Sequence, residues 1–595
     1  MDQESPAPIT CVGIVGLGTM GVGIAEVVAR SGYSVIAVDL SAKRASAATE
    51  RISASTERAV ERGKLSSKER DSILNAVSFG TDLRALEACN LVIEAIPETL
   101  SAKQELIKEL DSIISPGAII STNTSSLSVT EIAVASQWPA RVIGLHFFNP
   151  APVLGFVEIV RTVMTTDELV ETVTSFAQSL GKEPVVVGDR AGFIANALLF
   201  GYLNHAVSMY EQRYASREDI DAAMRLGCGY PMGPLALLDL IGLDTAYQIL
   251  DTMYKQGRDR LHAPSPMLKH LVSAGRLGRK SGAGFYRYAE PGSPDVVDAA
   301  AEGARPEAVR AAERITTIGV VGTGTMASGI AEACARSGFQ VVLIGRTGER
   351  ADQAMTAIKR SLDRSVDKGR LSREDADVVI QRVTGSDSYV ELAGADVVIE
   401  AVAEDIAVKE AVFAELDRVC KPDAVLATTT SSLPVIDIAM ATARPHRVVG
   451  IHFFNPAVVM KLVEVVSTIA VDPDAVLVAE GLCHRLGKHP VMCTDRAGFI
   501  VNALLFPYLN DAIHMAEANY ATIDDIDIAM KKGCGYPMGP FELLDVVGLD
   551  VSLAIEQTLY REYREPGFAP APRLEHLVTA GFLGRKTGRG FRGYS

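Results

Sequence analysis

The stretch GIVGLGTMGVGIAEVVAR, residues 13–30, returns as GVVGTGTMASGIAEACAR at residues 319–336. In each, a short apolar run stops at a glycine-rich turn and gives way to apolar positions at helical spacing, which predicts a strand, a tight turn and a helix. Glycines in such a turn let backbone N–H groups at a helix N-terminus approach a pyrophosphate closely. Adding 306 to a position in the first half returns the same motif in the second, from residue 9 to residue 289, without an insertion or deletion. Solenoid units repeat every ~20–50 residues because one unit cannot bury its own core. A unit this long can, so each copy is expected to fold as a subunit.

Further apolar runs follow at 35–38, 91–93, 118–120 and 142–145, separated by amphipathic stretches such as 101–114. Alternating strands and helices predict a mostly parallel, doubly wound sheet. From about residue 191 helical periodicity takes over, running through Tyr202, Ile220, Leu237 and Ile249 to a glycine-rich segment at 275–284. The fold class read from the chain is therefore α/β plus all-α, twice over. A Rossmann-type domain is expected at 9–190, a helical domain at 191–289, and their counterparts at 313–496 and 497–595. Between them, 290–312 reads as a solvated, partly helical linker, because 290–310 is rich in Ala, Pro, Glu and Asp and poor in large apolar side chains.

Of 595 residues, 48% are apolar, enough for several cores, and the formal charge of −15 disfavours a nonspecific nucleic-acid surface. The eight cysteines include no CxxC pair, so neither a metal site nor a disulfide framework is expected. The start is acidic and lacks a basic segment followed by an apolar one, and no run has the length of a membrane span. These features favour a cytoplasmic address.

In the first copy the turn is Gly16-Leu17-Gly18-Thr19-Met20-Gly21, and Asp39 closes the next strand, where a carboxylate can accept both ribose hydroxyls. This pattern favours NAD. The second copy reads Gly322-Thr323-Gly324-Thr325-Met326-Ala327, and Gly345 stands at the place of Asp39, followed by Arg346 and Thr347. The carboxylate that repels a 2′-phosphate is gone and a guanidinium and a hydroxyl stand beside the gap, so NADP, or either coenzyme, is expected there.

Residues 141–160, RVIGLHFFNPAPVLGFVEIV, read as a strand ending in His146, a proline-bounded turn, and a second strand carrying Glu158. His452 and Glu464 repeat the pair. Two strands joined this way can lie side by side, letting the carboxylate fix the imidazole tautomer and stabilise the imidazolium of a general base.

Together with the TNTSSL segment ending at Leu127, DRAGFIANALL (189–199), GYPMGPLALLD (229–239) and LGRKSGAGFY (277–286), this stretch resembles the L-3-hydroxyacyl-CoA dehydrogenases along nearly the whole of both copies, most of all the 3-hydroxybutyryl-CoA branch. The resemblance implies NAD(P)-dependent interconversion of a (S)-3-hydroxyacyl-CoA and its 3-ketoacyl-CoA, in fatty acid or butanoate metabolism. It implies His146 as acid/base, Glu158 as its partner, Ser125 and Asn196 on the substrate and Asn149 in support, with His452, Glu464, Ser431, Asn502 and Asn455 as counterparts. It places Glu98 and Lys103, and likewise Glu404 and Lys409, on the nicotinamide side. Arg58 and Arg62, spaced i, i+4 on one helix face, and Arg364 and Lys368 in the second copy, are candidate CoA contacts. The family also implies dimerisation through helical domains, here within one chain as a pseudo-dimer. Alternatives are a non-catalytic second copy serving as scaffold, or a free 3-hydroxy acid or carboxylated acyl-CoA as substrate. Two departures separate the copies: Thr429 replaces Asn123, and Gly155 stands where the second copy has Lys461.

Overall fold

Eight strands form the first sheet: β1 (Cys11–Val15), β2 (Ser34–Val38), β3 (Val77–Gly80), β4 (Leu91–Glu94), β5 (Ile119–Thr122), β6 (Val142–Phe147), β7 (Phe156–Arg161) and β8 (Glu183–Gly188). The computed structural model describes residues 8–299 and 303–594. Residues 1–7, which carry most of the acidic start, and 300–302 of the linker lie outside the described residues. The strand order is β3-β2-β1-β4-β5-β6-β7-β8, all parallel except β7 against β6. The order reverses between β1 and β4, which opens a crevice at their carboxyl ends. The strands are short runs of Val, Ile and Leu because both faces are covered. Leu91 and Ile93 pack under the helices Thr19–Arg30 and Ala42–Glu61, while Val92 and Ile120 pack against Leu106, Ile107 and Leu110 of the helix Leu100–Asp111. Burying each such side chain contributes about 1.5–3 kcal/mol.

The second sheet repeats this design with β9 (Thr317–Val321), β10 (Gln340–Ile344), β11 (Val383–Ser386), β12 (Val397–Glu400), β13 (Val425–Thr428), β14 (Val448–Phe453), β15 (Leu462–Ser467) and β16 (His489–Thr494), in the same order. Helices follow each sheet, beginning with Ala195–Glu211 and Val501–Glu517.

Two compact units divide the chain in an order the sequence does not suggest. One holds the first sheet domain up to Gly201 together with Thr245–Pro264 and Asp511–Val546; the other holds Tyr202–Asp244, Ser265–Asn510 and the chain from Val547 onward. Each unit thus takes helical segments from both copies.

Part of the 290–312 segment is helical. Residues 306–313 form a helix, Pro306–Glu313, whose Ala308 and Ala312 are buried against the helix Pro473–Arg485. Gly481 makes room for it: a Cβ there would lie 2.1 Å from the Ala308 carbonyl oxygen. Arg485 donates to the carbonyls of Ala312 and Ile315, and Arg305 pairs with Glu480. Small alanines seated on a glycine look solvent-like in composition, so the packing of this helix left no signal in the sequence.

Among the described residues no helix is long and apolar enough to cross a membrane, and no group of His, Cys, Asp and Glu is placed to hold a metal ion. The cysteines are free thiols.

Candidate active site

His146 and Glu158 are directly opposite in the antiparallel β6–β7 register. Glu158 Oε2 lies 2.7 Å from His146 Nδ1, both side chains buried. Beside an ionised carboxylate Nδ1 carries the proton and donates, so the basic nitrogen is Nε2. The other oxygen, Oε1, accepts from the backbone N–H groups of Ile194 and Ala195, each at 3.0 Å. Glu158 therefore ties the histidine strand to the first turn of the helix Ala195–Glu211. Those two amides converge because Phe193 adopts a left-handed backbone, φ 49°. A non-glycine residue there costs about 1–2 kcal/mol, and its ring lies 5.6 Å from that of His146. The second copy keeps the whole arrangement. His452 Nδ1 lies 2.6 Å from Glu464 Oε2, Ile500 and Val501 donate to Oε1, and Phe499 has φ 49°.

The DRAGF motif is a clamp for the neighbouring loop. Asp189 accepts from the Ser128 hydroxyl and from the N–H groups of Val129 and Thr130. Three residues before Ser128, Ser125 presents its carbonyl to Asn196 Nδ2 at 3.4 Å, so the two residues expected on substrate are adjacent. Asn502 and Ser431 repeat the contact. Asn123 Oδ1 accepts from Phe147 N at 2.8 Å and so fixes the strand end next to His146; Thr429 is too short to offer the same bridge.

Glu98 accepts from the Thr124 hydroxyl and the N–H groups of Ser125 and Ser126. Burial pushes its pKa up, but Lys103 and these donors outweigh that and hold it below the usual range. Lys103 is only 1% exposed, and its ammonium is bound by both oxygens of Glu94, with Glu98 at 3.4 Å. Lys103, expected with Glu98 on the nicotinamide side, is thus held between Glu94 and Glu98, and Lys409 is held in the same way between Glu400 and Glu404. Glu94, which the sequence reading passed over as a strand residue, is the anchor; a lone acid ending an apolar run was the available signal. A recess of about 150 Å³ brings Met20, Ala95, Glu98, Asn123 and Ser125 together with Thr245 and Gln248. Gln248 Nε2 donates to the Glu98 carbonyl at 3.2 Å. These two helical-domain residues carried no sequence signal, and their counterparts are Val551 and Ala554.

At the dinucleotide turn the glycines have distinct duties. A Cβ on Gly21 would lie 1.8 Å from the Gly16 carbonyl oxygen, whereas one on Gly18 would meet nothing within 4 Å. Gly21 permits close packing and Gly18 leaves open space in front of the helix Thr19–Arg30, as a pyrophosphate requires. Asp39 Oδ2 accepts from Leu17 N and Oδ1 from Ser41 N, both at 2.9 Å, which holds the carboxylate at the strand end beside the turn. In the second copy Gly324 is similarly open, Ala327 is buried, and Arg346 and Thr347 are exposed. The Thr347 hydroxyl oxygen caps the following helix by accepting from Arg350 N.

Arg58 and Arg62 line a cavity of about 560 Å³ with Arg30, Arg51, Lys64, Asn149 and Val153. The two arginines expected to act together do share one space, and Asn149 borders it. Arg51 and Lys64 were missed, although Arg51 lies two helical turns before Arg58.

Residues 11–190 and 317–496 match the family model "3-hydroxyacyl-CoA dehydrogenase, NAD binding domain", and residues 192–288 and 498–594 match "3-hydroxyacyl-CoA dehydrogenase, C-terminal domain". A 3-hydroxybutyryl-CoA dehydrogenase of Mycobacterium tuberculosis is 46% identical over 288 residues, covering 47% of this chain and 99% of that protein. The human mitochondrial hydroxyacyl-coenzyme A dehydrogenase is 42% identical over 292 residues, covering 47% of this chain and 90% of that protein. A crystal structure of 3-hydroxybutyryl-CoA dehydrogenase from Escherichia coli is similar over 97% of this chain and 100% of its own, with 27% identity and a TM-score of 0.68.

Proposed function

The chain belongs to the 3-hydroxyacyl-CoA dehydrogenase family, and from that premise we propose that both of its copies are catalytic, with short-chain 3-hydroxybutyryl-CoA as the substrate. The chain is an NAD-dependent oxidoreductase that oxidises 3-hydroxyacyl-CoA to 3-ketoacyl-CoA and catalyses the reverse reduction. The observation that carries the two-site reading is the duplicated clamp of one carboxylate between imidazole and two backbone amides. A scaffold copy needs the ties to the amides but has no use for an imidazole held in one tautomer.

A nicotinamide held at the dinucleotide turn would supply the hydride exchange at C3. His146 Nε2 takes the proton of the C3 hydroxyl, and Glu158 stabilises the resulting imidazolium. In reduction the same nitrogen returns the proton to the carbonyl oxygen. Ser125 and Asn196 donate hydrogen bonds to that oxygen as charge develops on it. Glu98, fixed by Lys103, keeps the Ser125 loop in place. The basic cavity at Arg58 and Arg62 receives the phosphates of CoA. Its test is an Arg58→Ala, Arg62→Ala variant on a His452→Ala background, expected to raise KM for acetoacetyl-CoA about tenfold or more with little change in kcat; an unchanged KM removes both residues from the CoA site.

NAD serves the first copy. In the second, Gly345, Arg346 and Thr347 support acceptance of NADPH alongside NADH. The exchange of helical segments within each compact unit supports an intrachain pseudo-dimer, and the free thiols support a reducing, cytoplasmic address. Acetoacetyl-CoA reduction measured with each coenzyme, on the parent and on His146→Ala and His452→Ala, tests the whole reading. His146→Ala is expected to remove most of the NADH rate and spare the NADPH rate, and His452→Ala to abolish the NADPH rate. If His452→Ala changes neither rate, the second copy is a scaffold. Turnover of free 3-hydroxy acids in place of the CoA thioester would overturn the substrate class.

A further inference from the structure

The second copy has lost the carboxylate at the end of its second strand, but a carboxylate from the neighbouring strand bonds the start of the helix that follows. Asp387 follows β11, which lies beside β10 in the sheet, and its Oδ2 accepts from the backbone N–H of Gly348 at 3.1 Å. Gly348 is the first residue of the helix after β10. In the first copy it is Asp39 that accepts, at 2.9 Å, from the N–H of Ser41, the residue capping the corresponding helix. The two donor amides are one residue apart in the repeat. Thr81 occupies the first-copy counterpart of Asp387 and the adjacent Asp82 accepts from Arg84 N instead, so a carboxylate from this segment bonds the helix start in the second copy alone.

Position 345 has closed behind this exchange. A Cβ on Gly345 would stand 2.8 Å from Ala351 N and 3.0 Å from the carbonyl oxygen of Thr347. Both are backbone atoms, so an aspartate cannot return there without moving the turn. The helix start is otherwise open: a Cβ on Gly348 would meet only the Asp387 carboxylate, at 3.7 Å. Arg346, Arg350 and Asp387 are all exposed there.

We propose that Asp387 is the coenzyme-specificity residue of the second copy, a carboxylate that takes over the ribose-hydroxyl role of Asp39 and opposes a 2′-phosphate that Arg346 and Thr347 attract. This rests on the reading that the second copy accepts both coenzymes, and explains why it is not exclusive for NADP. With Asp387 charged, a 2′-phosphate must share the helix start with a like charge; ribose hydroxyls find an acceptor there. Neutralising Asp387 leaves the arginine, the threonine and the Gly348 N–H unopposed.

The test is equilibrium binding of NADH and NADPH to the full chain, followed by nicotinamide fluorescence, for the parent and for Asp387→Asn and Asp387→Ser. Asp39 excludes NADPH from the first copy, so NADPH reports on the second, and a parallel Arg346→Ala variant identifies its site. Losing one charged hydrogen-bond acceptor and its repulsion is expected to shift the NADPH-to-NADH affinity ratio at the second copy toward NADPH by roughly tenfold or more. A ratio that moves less than twofold in both variants, in a chain that binds NADPH, overturns the assignment of Asp387 while leaving acceptance of both coenzymes intact. The converse result is also distinct: if parent and variants alike fail to bind NADPH, but the second NADH site weakens in Asp387→Asn, dual acceptance fails and the ribose role of Asp387 stands.

Discussion

Glu158 uses both carboxylate oxygens, one on imidazole and one on two amides, so its removal affects charge and geometry together. Glu158→Gln keeps the size but places an amide against His146 Nδ1, and Gln can donate there, which favours the tautomer with the proton on Nε2. On a His452→Ala background we expect kcat for acetoacetyl-CoA reduction to fall about 10²–10⁴-fold, with KM for the thioester nearly unchanged; steady-state kinetics check this, and a loss confined to KM would make Glu158 a binding residue. His and Glu twelve residues apart were legible as a pair because an antiparallel register sets them opposite. The amides of Ile194 and Ala195 were not, since a backbone donor has no letter in the sequence and converges on Glu158 only through the φ of Phe193.

Among elements, the helix Ala195–Glu211 carries Asn196 at its start and His205 further along. Burial pushes the His205 pKa down from 6.5 to about 4. The folded chain keeps it neutral while the unfolded chain is protonated first, so its contribution is present above about pH 6.5 and is lost as pH falls toward 4. Asp221 opposes this trend: burial raises its pKa to about 6, against the N–H groups of Leu235 and Ala236 and the Tyr286 hydroxyl, so its contribution grows as pH falls below 6. Urea unfolding between pH 7 and 4.5 is expected to lose steepness with pH in a His205→Phe variant; identical pH profiles for parent and variant would show that His205 is solvated. The linker helix offers a second test. Gly481→Val drives a side chain into the Ala308 carbonyl and should destabilise by about 1–3 kcal/mol, read as a lowered unfolding midpoint, whereas Thr174→Val, at the first-copy position next to the counterpart of Gly481, should do little.

At the scale of the molecule, each compact unit completes a sheet with helices of the other copy. Gly533 of the second copy lies against the first copy's catalytic strands, where a Cβ would be 3.0 Å from the Phe156 ring. Phe156 packs on Phe148, and Phe148 lies 4.5 Å from the His146 ring. Cys534, its thiol pushed up to about 12 by burial and by the charge of Glu158, is in the same place. The mirror contact is Gly227 on Leu462, 2.9 Å from an added Cβ. The expected outcome is crossed: Gly533→Val should lower turnover at the first copy by about tenfold or more and Gly227→Val at the second, measured on the His452→Ala and His146→Ala backgrounds respectively. Losses confined to the copy that carries each substitution would contradict the crossing.

The sequence by itself determined the duplication, the alternation of strand and helix, the dinucleotide turn and the His–Glu pair. Each of these is a local pattern or a fixed spacing, and physics acts on it over a few residues: apolar periodicity, a turn only glycine can make, an antiparallel register. Only the tertiary structure decided what lies between distant segments. The tie of Glu98 to the Ser125 loop, the hydrogen bond of Asp387 to the Gly348 N–H, the seating of the linker alanines on Gly481 and the contact of Gly533 with Phe156 all depend on close approach between residues far apart in the chain. Such approaches are set by packing, where one Cβ more or less decides the contact, and composition and periodicity carry no record of it.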